Sequence, residues 1–97
     1  MEKESEDKIK AVKVNISGKV QGVGFRFYVE KNAKSKNVKG YVKNLSGGRV
    51  EAFFQGQEEN IKEMIELCKK GPLTAEVEDI NIEEQNPQEL TSFRVTG

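Results

Sequence analysis

The chain has 97 residues and balanced formal charge, 16 Lys and Arg against 16 Asp and Glu, which sets one domain with a modest core and withholds the broad basic footprint of nonspecific nucleic-acid binding. Histidine is absent and Cys68 is the single cysteine, excluding His-based triads, His-ligated metals and an internal disulfide. No apolar run reaches the length of a membrane span and the first residues form no secretion signal; a soluble, cytoplasmic protein with neither a membrane nor a nucleic-acid partner is expected.

Residues 1–8 are charged and patternless, a flexible tail ahead of a single domain over 9–97. From Ile9 the chain alternates, Val12, Val14 and Ile16 against Lys13, Asn15 and Ser17, as a half-buried strand does. Gly18-Lys19-Val20-Gln21-Gly22-Val23-Gly24-Phe25-Arg26 follows. Glycines there permit positive φ and close backbone approach, and they run into a helix whose first-turn N–H groups have no internal partner. Such a loop can cradle a phosphate or carboxylate on backbone N–H groups from Gln21 to Phe25, with Arg26 adding a bidentate fork. The same spacing also suits a tight strand-to-helix turn with a surface arginine.

Phe25, Val29 and Ala33 recur at helical spacing, ending near Asn37, and Phe25 reads as a core anchor. A second strand over 38–45 carries Tyr41 and Val42 on opposite faces, Ser46-Gly47-Gly48 supplies a hairpin turn, and a third strand over 49–56 turns Val50, Ala52 and Phe54 inward and Phe53 onto the open face. Ile61, Met64, Ile65 and Cys68 form the stripe of a second helix stopped at Gly71-Pro72. In a fourth strand through Val77, Ile80 and Ile82 the parity changes at Glu78-Asp79, which calls for a bulge. A polar connection over 83–89 leads to a short final strand holding Phe93 and Val95. The expected fold is therefore α+β, a ferredoxin-like α/β sandwich ordered βαββαβ plus a short terminal strand. Its antiparallel sheet is covered on one face by two helices, and right-handed crossovers put the first and third strands side by side at the centre.

Val20-Gln21-Gly22-Val23-Gly24-Phe25-Arg26, taken with the later Gly40-Tyr41-Val42-Lys43-Asn44 strand, closely resembles the acylphosphatase family signature, a glycine-rich VQGVGFR loop and a G-aromatic-V-x-N strand. The resemblance extends from about Lys13 to Gly97, with Tyr41 standing where many relatives carry tryptophan. It implies hydrolysis of an acyl phosphate to a carboxylate and inorganic phosphate, without metal or cofactor; a free-standing enzyme is expected, and a monomer, though no residue pattern fixes the oligomeric state. By the same resemblance, Gln21, Gly22, Val23, Gly24, Phe25 and Arg26 bind phosphate, while Arg26 and Asn44 are the catalytic pair, Asn44 holding the attacking water. Residue by residue, the competing readings are a structural salt bridge for Arg26 and a turn residue for Asn44. For the whole chain, the competitor is a non-catalytic anion-binding or interaction module of the same fold. Lys19, Lys43 and Arg49 are surface cations that would raise the local potential for an anion.

Overall fold

The computed structural model describes residues 8–97. They run β1 (Ile9–Lys19), α1 (Phe25–Ser35), β2 (Lys39–Asn44), β3 (Val50–Gln57), α2 (Glu58–Lys70), β4 (Glu76–Gln85) and β5 (Phe93–Thr96). The tail expected over 1–8 lies outside the described residues, except that Lys8 is already engaged, its carbonyl accepting the Glu58 N–H at 3.3 Å.

The strands pair in the order β4-β1-β3-β2-β5, with β1 and β3 adjacent at the centre. The pairings among β1, β2, β3 and β4 are antiparallel, as the element order implies, whereas β5 joins β2 in parallel. The direction of β5 follows from the link that precedes it. Gln85 leaves β4 opposite Ala11, at the start of β1, and Phe93 enters β5 opposite Gly40, at the start of β2. The connection thus stays at one end of the sheet, and a strand that begins there must run alongside β2.

Alternation places Val12, Val14 and Ile16 of β1 and Val50, Ala52 and Phe54 of β3 on one face, where they meet Phe25, Val29 and Ala33 of α1 and Ile61, Met64 and Cys68 of α2. Each fully buried Val, Ile, Phe or Met among them contributes about 1.5–3 kcal/mol relative to exposure. Phe93 joins this core with its ring 6.0 Å from that of Phe54, which anchors the short β5. Helix α2 carries Glu58 and Glu59 in its first turn and Lys69 and Lys70 in its last, matching its dipole at both ends. Burial pushes the Cys68 thiol up to about 12, so it packs as a small apolar residue and is no nucleophile.

The bulge falls where the parity of β4 changes. Ser17 faces Asp79 and Gly18 faces Val77, so Glu78 is the extra residue. At Gly18, φ is +124° and a side chain would collide with the Glu76 carbonyl oxygen. Gly18 therefore serves the close approach of β4, and the anion loop begins only after it. β4 also continues through Glu83 and Glu84 to Gln85, where a polar connection was expected. The outer edge of β1 offers ladder partners that far, and Lys10 pairs with Glu84 at 3.0 Å; polar and charged side chains are what an exposed edge strand carries. Phe53 does lie on the face away from the helices, yet it is only 2% exposed. Tyr41 stacks on it with centroids 5.9 Å apart. The Gln55 side-chain amide also exchanges two hydrogen bonds of 2.8 Å with the Gln88 backbone, holding the β4–β5 connection against β3.

Candidate functional site

Between β1 and α1 the backbone alternates in hand. Gly22 and Gly24 have φ of 75° and 78°, and neither Gln21 nor Val23 takes positive φ. Such alternation turns successive N–H groups toward one concavity, the geometry of an anion nest. A side chain at Gly22 or Gly24 would meet nothing within 4 Å, so the positive φ and not lack of space calls for glycine here. Gly24 also caps α1, without any side-chain cap and with no acidic residue in the first turn. The first helical bond runs from the Tyr28 N–H to the Gly24 carbonyl at 3.0 Å, so the N–H groups of Phe25, Arg26 and Phe27 precede the helical ladder. They sit at the positive end of the helix dipole.

Two tethers hold the loop in this shape, and the sequence pattern revealed neither. The Gln21 amide nitrogen donates to the Leu45 carbonyl at 2.8 Å and to the Arg49 carbonyl at 2.9 Å, while the Leu45 N–H closes the same hairpin onto Arg49 at 2.8 Å. On the other side the Thr74 hydroxyl donates to the Val23 carbonyl at 2.9 Å. One tether fixes the loop to the β2–β3 hairpin that ends in Asn44, and the other fixes it to the segment after α2. Only the long-range position of Gln21 beside an open hairpin end could have announced the first of these.

A cavity of about 380 Å³ opens over the loop, and Gly22, Gly24, Phe25, Arg26 and Asn44 all line it. The two segments expected to cooperate are thus brought to one place. Gln21 and Val23 are not among its lining residues: the Gln21 side chain is committed to the hairpin and Val23 packs on the core, which leaves them their backbone groups to offer. Phe25 faces the core with its side chain, 1% exposed. The cavity also takes in Val20, Phe27, Glu30 and Val95, which the motif did not single out. Val95 arrives because β5 runs beside β2, opposite Val42.

Arg26 donates from Nη1 to the Gly97 main-chain oxygen at 2.6 Å, and no Asp or Glu side chain among the described residues pairs with it. Glu30, one turn further along α1, pairs instead with Lys34 at 3.2 Å. Asn44 is different again. Its Oδ1 is buried with no hydrogen-bond partner among the described residues, the only such side-chain atom there, and buried acceptors without partners are rare enough to require a reason. The turn reading of Asn44 would need that oxygen to satisfy a local N–H, which it does not. Lys43 does not line the cavity; it reaches Glu51 at 3.9 Å and lies over the Tyr41 ring at 5.7 Å. Lys19 and Arg49 are exposed and also stand outside the lining, so among the described residues Arg26 is the cation the cavity contains. Burial, reinforced by the hydrogen bond and charge of Glu51, pushes the Tyr41 hydroxyl up to about 12, and that group belongs to the open face of the sheet. Among the described residues, no cluster of three or more His, Cys, Asp or Glu side chains could hold a metal ion, and no helix is long and apolar enough to cross a membrane.

Comparison with known proteins places this geometry among relatives. The family model described as Acylphosphatase matches residues 12–95. An acylphosphatase of Trichormus variabilis is 42% identical over 84 residues, 87% of this chain and 83% of the relative. The structure of an acylphosphatase from Coxiella burnetii superposes with a TM-score of 0.89 at 40% identity, covering 94% of this chain and 96% of that one. The chain is also similar to a part of full-length HypF, solved in a phosphate- and nucleotide-bound form, with a TM-score of 0.87 and 35% identity over 93% of this chain and 12% of that one.

Proposed function

Because this chain belongs to the acylphosphatase family, whose activity is hydrolysis of the carboxyl-phosphate bond of acyl phosphates, we propose that the cavity over the glycine loop is where that bond is broken and that Arg26 and Asn44 do the work. The loop N–H groups and the Arg26 guanidinium bind the phosphoryl oxygens. Asn44 orients a water toward phosphorus. As the water oxygen bonds to phosphorus, the bond from phosphorus to the carboxyl oxygen breaks and its electron pair leaves with the carboxylate. The water's proton passes to a phosphoryl oxygen, since an amide side chain is no base at neutral pH. The leaving carboxylate is a weak base and needs no acid to protonate it, so positioning and charge stabilisation suffice, as in other phosphoryl transfers. The donors are built into the backbone and need no rearrangement as charge develops, which is where such groups contribute most. No step calls for a metal ion.

The observation that carries this reading is that Asn44, whose buried Oδ1 the fold leaves unpaired, lines one cavity with Gly22, Gly24 and Arg26. The fold makes no use of that oxygen, and its residue lines the cavity, so the Asn44 amide is the neutral polar side chain available to a water there. The test is hydrolysis of a synthetic acyl phosphate in the presence of a chelator, with inorganic phosphate titrated as inhibitor. Turnover unaffected by chelator and competitive inhibition by phosphate are expected. Turnover that requires an added metal, or phosphate that neither competes nor raises the melting temperature, overturns the assignment of the cradle.

A further inference from the structure

We propose that Phe27 and Val95 form an acyl subsite beside the phosphate cradle, one that favours acyl phosphates with an aromatic or branched aliphatic chain. This rests on the acylphosphatase reading of the cavity. A phosphoryl group needs only part of that space. At the ~30 Å³ an oxygen occupies in liquid water, its oxygens take on the order of 100 Å³, whereas the cavity measures about 380 Å³. The remainder is large enough for an acyl chain, and its walls state which kind.

Phe27 is 67% exposed and Val95 39% exposed, and both line this cavity. The other large apolar side chains left in solvent, Ile9, Leu73 and Ile82, do not. Phe27 follows Arg26 on the first turn of α1, and Val95 stands opposite Val42, two positions before Asn44. Each is therefore attached to the segment that presents a catalytic residue. An acyl chain leaving the cradle beside these residues would lie against them, and covering an aromatic ring that is otherwise in water is favourable. Glu30 also lines the cavity, with its carboxylate paired to Lys34 at 3.2 Å.

The test compares kcat/KM for benzoyl phosphate and acetyl phosphate in the unaltered chain, in Phe27→Ala, in Val95→Ser and in Ile9→Ala, a substitution at an exposed apolar residue outside the cavity. The ratio of the two values is taken on one sample, so partial unfolding of a variant cancels. The unaltered chain should prefer benzoyl phosphate. Phe27→Ala should lower the benzoyl-to-acetyl ratio about three- to tenfold, the range of one aromatic contact, mainly through KM for benzoyl phosphate. Val95→Ser should lower it less, and Ile9→Ala should leave it unchanged. A ratio unmoved in both Phe27→Ala and Val95→Ser overturns the subsite. Failure of the unaltered chain to hydrolyse either substrate overturns instead the reading on which the subsite rests.

Discussion

Replacing Asn44 with alanine should reduce turnover severely and cost the fold nothing. The usual penalty for removing a buried polar side chain comes from stranding its partner, about 1–3 kcal/mol. The Asn44 oxygen strands nothing when it is removed, because Oδ1 is buried without a partner among the described residues. Desolvation of that oxygen is a cost the folded state already bears, and alanine removes it. The stability of Asn44→Ala should accordingly be unchanged or higher by up to about 1 kcal/mol, which in a domain of this size raises the melting temperature by about 4–8 °C. Turnover should fall by about 10²–10³, the range seen when one preorganised polar group is deleted from an active site. Phosphate should bind as before, since the loop N–H groups and Arg26 remain. Thermal melts with and without phosphate, and acyl phosphate hydrolysis well below the melting temperature, separate the three quantities. A stability loss above about 1 kcal/mol would mean that the amide has an internal role. Phosphate affinity falling in step with rate would make Asn44 a phosphate ligand, and retained turnover would remove it from the chemistry.

Arg26→Lys keeps the charge but loses the bidentate fork, so phosphate affinity and turnover should fall together, the opposite pattern to Asn44→Ala; near-normal inhibition by phosphate would return Arg26 to a surface role. Gln21→Leu removes both bonds that tie the loop to the hairpin. It should destabilise the fold by about 1–3 kcal/mol and weaken phosphate binding through a looser cradle, whereas an unchanged inhibition constant would show that the loop holds its shape unaided. The Tyr41 hydroxyl, pushed up to about 12 from its ordinary 10, stays neutral in the folded chain where the unfolded chain ionises. Its contribution is therefore full below pH 10 and lost as pH rises from 10 to 12. Denaturant melts over that window should show a shallower alkaline decline for Tyr41→Phe than for the unaltered chain, and equal slopes would refute this.

What the sequence by itself determined is local. Strand periodicity is written residue by residue, so Val12, Val14, Ile16, Val50, Ala52 and Phe54 could be assigned to one core face before any pairing was known. The anion loop is equally local: the positive φ of Gly22 and Gly24 and the free start of α1 are properties of a few consecutive residues. The extra residue in β4 announced itself as a change of parity, and Glu78 is where it falls. That Asn44 belongs with this loop was legible only through the resemblance, because nothing in the spacing of residues 26 and 44 brings them together.

Pairing decided the rest, and pairing depends on which edge is free and which end a connection leaves from. Gly18 was read as part of the loop until β4 came close enough to forbid a side chain there. Phe53 was read as outward until Tyr41 stacked on it and the chain after β4 was held to the same face by Gln55 and Gln88. The side chain of Gln21 acquired its purpose only when the open end of the hairpin lay beside it. β5 is the clearest case. Its short pattern offers no sign of its neighbour, yet by starting at the end where β4 stopped it can only run parallel to β2, and that direction carries Val95 and Gly97 to the cavity wall and to Arg26.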